Sequence, residues 1–504
     1  MDEIDNISPL KREYLRMTKD HLSISTEMKY TVSAVLMLLL SLSSCSQSGV
    51  SAPTECHEEQ ELHPADDRTY LRTVAEAKDC ITQFLAENST LRSSETPSQR
   101  VVKEVIDLKH QTSLRSDSEL SEFVDLFYIV TLSEDQGYAI VSKDKRCFPI
   151  FAILDNGTFR AQDLKTPHMT DRIETMVAAA KLEKDSFDKI IRSNSSHSHL
   201  RTKADKGINT ENAIEEMTQD GWRRTRQSDI RTSTTWGQDI VRKDFYISKQ
   251  GVLFADAYPG EAQLSAPPTL RSSASDAEVF GCTPVAFGQA MYALREFPGF
   301  KTLRYTNGER ILWEKMSETY SSVTEVQRFL GRITANCKPT YFNKGTMVYN
   351  THATDFLRSK VGNYINSRYD NCVSLSGDFD GYGWSEDKRV AKDFFEHPHA
   401  LVIMTASRGT INFTSYHSFV IDGMVELHKR INNKGFLGTG LFSKWRDGIR
   451  HLYHVNAGWD GSSNGYYLYV QNIGNKFKYT GSNNKMDYRS NTAYLILWPN
   501  EENK

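Results

Sequence analysis

A polar stretch from Asn194 to Ser233 divides this sequence into two parts that each show the patterning of a folded unit. The stretch is rich in Ser, Arg and Lys and has no sustained apolar periodicity, so it predicts an exposed, cleavable connection over 194–233. Residues 69–193 precede it and residues 234–504 follow it. A chain of 504 residues is too long for one ordinary domain, and no internal repeat of fixed period is visible. We therefore expect a small domain followed by a larger one.

The small domain is predicted to combine helices with short antiparallel strands, an α+β arrangement. Leu71 to Leu91 and Asp171 to Ile191 have apolar residues at helical spacing. Between them lie three short β-rich runs separated by turn residues, namely Phe127–Val130, Gly137–Val141 and Phe148–Ile153.

The charge balance gives no sign of nucleic-acid binding. The sequence has 61 Lys and Arg residues against 64 Asp and Glu residues, a formal net charge of -3. A nucleic-acid binder would need a basic footprint, which this composition does not provide. Apolar residues at 39% and charged residues at 25% are typical of a folded globular protein.

The N-terminus has the pattern of an export signal. Met28-Lys29 is a short basic start, the apolar run Val32 to Leu42 follows, and small residues precede Cys45. Leu42-Ser43-Ser44-Cys45 resembles a bacterial lipobox, which implies lipidation of Cys45. Two alternatives stay open at this point: plain secretion, and a buried core helix.

This interpretation assigns the first 68 residues. Residues 1–27 are highly charged and precede a complete signal, so we interpret them as an upstream extension from a mis-assigned start. Residues 28–44 are the lipoprotein signal peptide, and 45–68 are a polar linker. The expected location is the bacterial outer membrane, the periplasm or the cell surface, with release after processing as an option.

The cysteines do not predict a metal site or a disulfide framework. Apart from Cys45 they are scattered, and no Cys-x-x-Cys pair occurs. We expect no metal and no cofactor.

One cysteine has a distinctive setting in the larger domain. Gly281-Cys282 precedes Pro284, which suits a first helical turn, and apolar residues then repeat at helical spacing. Cys282 is therefore predicted at a helix N-terminus, where free backbone N–H groups and the helix dipole favour a thiolate. Taken alone, a cysteine in such a helix is more often an inert packing residue.

Two further segments supply polar side chains. His417 alternates with Phe419 and Ile421 on one face of a predicted strand that ends in an Asp422-Gly423 turn. Asn456 ends another predicted strand, and a Gly-rich loop with Trp459 follows. Each segment alone is equally compatible with an ordinary core strand or hairpin.

Order and spacing connect the three segments. His417 lies 135 residues after Cys282, which fits the spacing of roughly 130–150 residues in papain-like proteases. Asn456 lies somewhat further along the chain than that spacing. In that chemistry a thiolate attacks an amide carbon, an imidazole moves protons, and an amide side chain orients the imidazole. Gln238 and the Cys282 backbone N–H would form the oxyanion hole.

These motifs resemble the streptopain family of papain-clan cysteine peptidases. The resemblance covers about residue 234 to the end and rests on Trp236-Gly237-Gln238, Gly281-Cys282, His417 to Gly423, and Asn456 to Trp459. It implies a papain-like catalytic domain with the Cys helix packed against an antiparallel sheet or barrel. It assigns Cys282 as nucleophile, His417 as base and acid, Gln238 as oxyanion donor and Asn456 as orienting residue. Trp459 would shield the pair, with Trp236 and Gly281 in supporting positions.

Gly137 to Ser142, Pro149 and Gly157 to Phe159 resemble the inhibitory prodomain of the same family, so residues 69–193 would be an intramolecular inhibitor. One departure is Ala457, which stands where the family usually has a Trp beside the His. The sequence thus predicts an exported cysteine endopeptidase made as a zymogen, acting on proteins or peptides. The alternative is a catalytically weak or silent peptide-binding lipoprotein that keeps the fold.

Overall fold

The structure is a computed structural model. It describes a core set of residues, and the statements below concern only these: 70–87, 100–110, 120–198 apart from 134 and 166, 220–237, 281–371 apart from 305–308, 320–323, 338–339 and 343–344, 388–407, 416–433, 444–468 and 493–500.

The N-terminal region (residues 70–198) is a four-stranded antiparallel sheet with three helices. Its elements are α1 (Val74–Glu87), β1 (Val102–Asp107), α2 (Ser121–Leu126), β2 (Phe127–Leu132), β3 (Tyr138–Ser142), β4 (Ile150–Leu154) and α3 (Pro167–Ser198). Short 3₁₀ turns occur at Leu108–His110 and Ala161–Lys165. The two predicted helices and the three predicted strands are confirmed, whereas β1 and α2 were not anticipated.

The C-terminal region (residues 220–500) mixes short helices with long strands. Its helices are α4 (Cys282–Ala293), α5 (Pro298–Lys301), α6 (Thr324–Asn336), α7 (Asn350–Val361) and α8 (Lys388–Glu396). Two 3₁₀ turns lie at Trp313–Lys315 and Gly362–Tyr364. Its strands are β5 (Arg223–Gln227), β6 (Thr340–Phe342), β7 (Gly345–Met347), β8 (Ile365–Asn371), β9 (Leu401–Ser407), β10 (Tyr416–Asn433), β11 (Lys444–Asn456), β12 (Gly465–Tyr467) and β13 (Ala493–Pro499).

A single antiparallel sheet joins the two regions. Its strand order is β1-β2-β3-β4-β12-β11-β10-β9-β13-β8, and β5 pairs with β10 as a branch. The junction is the pairing of β12 with β4, in which Gly465, Tyr466 and Tyr467 lie opposite Leu154, Ile153 and Ala152. A Cβ on Gly465 would come within 2.3 Å of the Ile153 carbonyl oxygen, so the close approach of these strands requires glycine.

The sheet of the C-terminal region is covered on both faces. The face packed against α4 carries Val420, Ile403 and Leu495. These side chains share a buried cluster with Val285 and Ala286 of α4. The alternating residues Phe419, Ile421, Val402 and Met404 belong to a core that is continuous with the N-terminal region. Burial on both faces explains why β9 and β13 are apolar runs without polar alternation. The expected mixture of helix and antiparallel sheet, with the Cys helix on the sheet, is confirmed.

Part of the predicted exposed connection is strand β5, which pairs with Val425–His428 of β10 and whose residues are exposed or half-buried, although Trp222 just before it is buried. One expectation about local structure is wrong. Asp422-Gly423 is no turn, because β10 continues through it with a change of register opposite β11. The Asp422 side chain is fully buried and hydrogen-bonded, which holds these residues inside the sheet.

Within the described part of the chain, none of the helices combines the length and the apolar character that a membrane crossing requires.

Candidate active site

Cys282 is the first residue of α4, as the sequence predicts. Gly281 precedes it as the N-cap with φ 86°, a left-handed conformation that glycine adopts without steric cost. The ten consecutive residues after Cys282, from Thr283 to Tyr292, are all buried. The cysteine is thus held by a rigid helix at the end where backbone N–H groups point outward.

The Cys282 thiol lies against strand β10. Its hydrogen-bonding neighbours are Ser418, through both backbone and side chain, and Thr283. Burial raises the pKa of the thiol, and the hydrogen bonds from Ser418 and Thr283 offset this rise only in part. The full-length chain therefore favours the protonated thiol more than a helix N-terminus alone would suggest.

His417 immediately precedes Ser418 on β10, so its backbone lies one residue from the neighbour of Cys282, while its side chain shares the alternate face of the strand with Phe419, at 6.1 Å between the rings. Its Nε2 lies 2.8 Å from the Ala457 carbonyl oxygen. A carbonyl can only accept, so this contact assigns the hydrogen to Nε2 and leaves Nδ1 as the basic nitrogen.

Trp459 packs on the imidazole of His417. The two rings are stacked at 5.3 Å with an interplanar angle of 22°. The indole Nε1 lies 3.2 Å from His417 Nε2, but a nitrogen that donates to Ala457 has no lone pair for it. Trp459 therefore contacts His417 by stacking.

The orienting contact predicted for Asn456 is not formed in the described structure. Asn456 Oδ1 accepts from Gln289 Nε2 at 3.0 Å, and its Nδ2 donates to Thr232 Oγ1 at 3.0 Å and to the Thr234 carbonyl at 2.5 Å. The Ala457 carbonyl takes the place at His417 Nε2, and the Asn456 side chain is bonded to Gln289 of α4 instead. Asn456 instead anchors the segment that leads to Trp236.

Of the predicted segment Trp236-Gly237-Gln238, the structure describes the first two residues. Trp236 is fully buried, and its Nε1 donates to the Ser317 carbonyl at 2.6 Å. The Trp236 carbonyl accepts a hydrogen bond from Gln289 Nε2 at 3.2 Å. Gly237 follows it in the described chain. Gln238, the expected oxyanion donor, lies outside the described residues, as does Cys45.

A second histidine forms a cluster that the sequence reasoning missed. His454 is buried between two carboxylates: Nδ1 donates to Asp422 Oδ1 at 2.5 Å and Nε2 donates to Asp155 Oδ2 at 2.7 Å. Burial lowers the pKa of His454, but Asp422 and Asp155 outweigh it and raise that pKa to about 10. Burial likewise raises the pKa of Asp155, yet His454 and Arg100 together lower it to about 2. The cluster is therefore an imidazolium held by one carboxylate from each region.

This cluster continues to the candidate site through hydroxyl and amide groups. Thr232 Oγ1 donates to Asp422 Oδ2, and Asn456 Nδ2 donates to Thr232 Oγ1. Gln289 on α4 then donates to Asn456. A buried polar chain thus runs from the helix that bears Cys282 to Asp155 in the N-terminal region.

Two further contacts join the regions. Arg450 on β11 donates to Glu183 on α3 at 2.9 Å, and both side chains are at most 1% exposed. Arg172 on α3 lies over the rings of Phe419 and Tyr467, at 5.0 Å and 4.9 Å from their centroids. Phe419 is on the same face of β10 as His417, so α3 covers the strand next to the candidate base.

The comparisons with known proteins bear on the N-terminal region. Residues 71–177 match the family model of the Spi protease inhibitor, within the small domain predicted over 69–193. This part of the chain is thus protease-inhibitor-like. No curated protein matches the chain. A solved fragment of Prevotella intermedia prointerpain A, with a cysteine replaced by alanine, matches at a TM-score of 0.39 and 14% identity. That match covers 73% of this chain and 94% of the other.

Proposed function

We propose that the protein is a cysteine endopeptidase zymogen of papain-like type, in which the N-terminal region inhibits the C-terminal region. The observation that carries this proposal is the position of Cys282, at the N-terminus of a buried helix and against the strand residue next to His417. The inhibitor-like segment 71–177 in the same chain supports the zymogen part of it.

The proposed reaction uses the side chains named above. His417 Nδ1 takes the proton of Cys282, and the thiolate sulfur bonds to the carbonyl carbon of the scissile amide. His417 then gives its proton to the leaving amine as the C–N bond breaks, which leaves a thioester on Cys282. A water molecule, deprotonated by His417, then attacks the thioester carbon; the C–S bond breaks, the carboxylic acid product leaves, and His417 returns the proton to the Cys282 sulfur. Gln238 and the Cys282 backbone N–H would stabilise the oxyanion in both steps.

The contacts between the regions support latency. The β4–β12 pairing, the Asp155–His454 contact and the Glu183–Arg450 contact together tie the inhibitor-like region to the strands on which His417 and Asn456 lie. Activation would therefore require cleavage and separation of these contacts. We place the cut within 199–219, because residues up to 198 belong to α3 and residues from 223 belong to β5.

The test is proteolytic activation. We expect purified full-length protein to hydrolyse fluorescent casein slowly, and the rate to rise after limited cleavage within 199–219. Equal rates before and after complete cleavage would argue against the zymogen part. Absence of hydrolysis in both forms would argue against the peptidase.

A second candidate is a catalytically silent peptide-binding protein with the same fold. The observation in its favour is that Asn456 contacts Gln289, Thr232 and Thr234 and not His417. A peptide epoxide that reacts with activated thiols separates the two, because only the peptidase should be labelled selectively at Cys282.

Export and lipidation remain proposals for residues 28–45. Mass spectrometry of the native protein should find an acylated N-terminus at Cys45. An unmodified N-terminus upstream of Cys45 would refute lipidation.

A further inference from the structure

The hydroxyl groups of Thr283, Ser418 and Thr405 form a hydrogen-bonded chain next to Cys282. Ser418 Oγ is 2.8 Å from Thr283 Oγ1 and 2.6 Å from Thr405 Oγ1. Ser418 is 1% exposed and Thr283 is 3% exposed, so both hydroxyls depend on partners inside the protein. Asn350, at the start of α7, adds an amide that donates to Thr405 Oγ1.

The direction of donation along this chain follows from counting protons. Thr283 Oγ1 donates its one hydrogen to the Val348 carbonyl at 3.1 Å, so Ser418 must be the donor towards Thr283. Ser418 Oγ also lies 3.5 Å from Asn350 Oδ1, which is too long to compete with the 2.8 Å contact to Thr283. Ser418 therefore accepts from Thr405, which in turn accepts from Asn350. Donation therefore runs one way, from Asn350 through Thr405 and Ser418 to Thr283.

Ionisation of Cys282 would change one bond in this chain. The Ser418 hydroxyl also lies within hydrogen-bonding reach of the Cys282 sulfur. When the sulfur is negative, the Ser418 O–H can turn from Thr283 to the sulfur, while Thr405 continues to donate to Ser418 Oγ. A neutral hydrogen bond is exchanged for a charge-assisted one, which is about twice as strong. Donation from Thr405 also polarises the Ser418 O–H and makes it a better donor.

We propose that Ser418 is a positioning residue for the nucleophile, whose hydroxyl, oriented by Thr405 and Thr283, donates to the Cys282 thiolate and fixes the position of its sulfur. This inference rests on the proposed function, in which Cys282 is the nucleophile. It assigns a role to the residue after His417, and it does not require Asn456 to contact the imidazole.

Thiolate titration tests the proposal without depending on turnover. Absorbance at 240 nm would be followed against pH for the full-length protein, with the same protein carrying Cys282→Ala subtracted. Ser418→Ala should raise the pKa of Cys282 by about one unit or more, the shift expected when one hydrogen bond to a charged group is lost. At a pH below that pKa, alkylation of Cys282 by iodoacetamide should slow by about tenfold.

Two variants make the result specific. Ser418→Thr keeps the hydroxyl and should titrate near the wild-type pKa. Thr405→Val removes the donor behind Ser418 and should raise the pKa of Cys282 by a smaller amount, and it serves as the test if Ser418→Ala does not fold.

An unchanged pKa in Ser418→Ala, or an equal rise in Ser418→Thr, would overturn the role of Ser418. A normal titration shift in a protein that hydrolyses no peptide after activation would instead refute the proposed function.

Discussion

His417 and His454 lie on neighbouring strands of one sheet, and their surroundings differ in the charge that each imidazole can hold. His454 is buried with a carboxylate at each nitrogen, so it stays protonated up to a pKa of about 10. His417 is half-buried, donates to the neutral Ala457 carbonyl, and is stacked on Trp459. A group that must take and return a proton near neutral pH cannot be held by two carboxylates. The proton-transfer role proposed for His417 is compatible with its neutral surroundings, whereas His454 attaches the two regions through Asp155.

The largest expected effect separates the two histidines by activity. In the activated protein, His417→Ala should lower kcat/KM by about a thousandfold, because it removes the only group proposed to move protons. The free energy of unfolding should change little, since the ring is half-buried and donates to the neutral Ala457 carbonyl. Steady-state kinetics and urea unfolding of the same preparation give both values. A loss of stability comparable to that of His454→Ala would mean that His417 is a structural residue.

The next effect is the converse change at His454. Replacing it with Ala leaves Asp422 and Asp155 facing each other without the shared cation, so the full-length protein should lose about 3–5 kcal/mol of unfolding free energy. Urea unfolding measures this loss. The uncleaved variant should also hydrolyse casein faster than uncleaved wild type, because a contact between the regions is lost. An unchanged free energy of unfolding would show that the His454 cluster does not hold the two regions together.

A matched pair of variants on α3 tests whether burial decides the strength of these contacts. Glu183→Gln leaves Arg450 buried with a neutral partner and should cost about 3 kcal/mol or more. Lys181→Met on the same helix breaks an exposed pair with Glu122 and should cost at most about 1 kcal/mol. Equal losses in urea unfolding would contradict the assignment of Glu183–Arg450 as a contact that holds the regions together.

The last prediction concerns the pH dependence of the attachment. His454 has a pKa raised from 6.5 to about 10, so its contribution to stability is complete below pH 6.5 and is lost as pH rises through 10. Asp155 has a pKa lowered from 3.8 to about 2, so its contribution is complete above pH 3.8 and is lost as pH falls through 2. These two groups should give a plateau between about pH 4 and 6.5. Asp155→Asn should flatten the acid limb when unfolding free energy is measured across pH.

The sequence predicted the local features of this site well. The helix at Cys282 follows from Gly281, Pro284 and the apolar residues after them, and the strand at His417 follows from its alternation with Phe419. Both signals arise from neighbours along the chain, so they can be recognised without the fold. The stacking of Trp459 on His417 likewise agrees with a spacing that the resemblance supplied.

The polar contacts could not be predicted because their partners are distant in sequence. His454 lies 32 residues from Asp422 and 299 residues from Asp155, and no local pattern connects them. The expected turn at Asp422-Gly423 was wrong for the same reason, since a buried carboxylate with distant partners overrides a turn preference. Asn456 was expected at His417, but Gln289 and the chain before Trp236 bind its side chain instead.

The most direct test of the account compares wild type with Cys282→Ala during self-processing. Both full-length proteins would be incubated, the new N-termini sequenced, and casein hydrolysis followed over the same period. We predict that wild type is cut within 199–219 and gains activity, whereas Cys282→Ala stays uncut and inactive. When cut at the same site by added protease, Cys282→Ala should remain inactive. Comparable hydrolysis by the two proteins would contradict the assignment of Cys282 as the nucleophile.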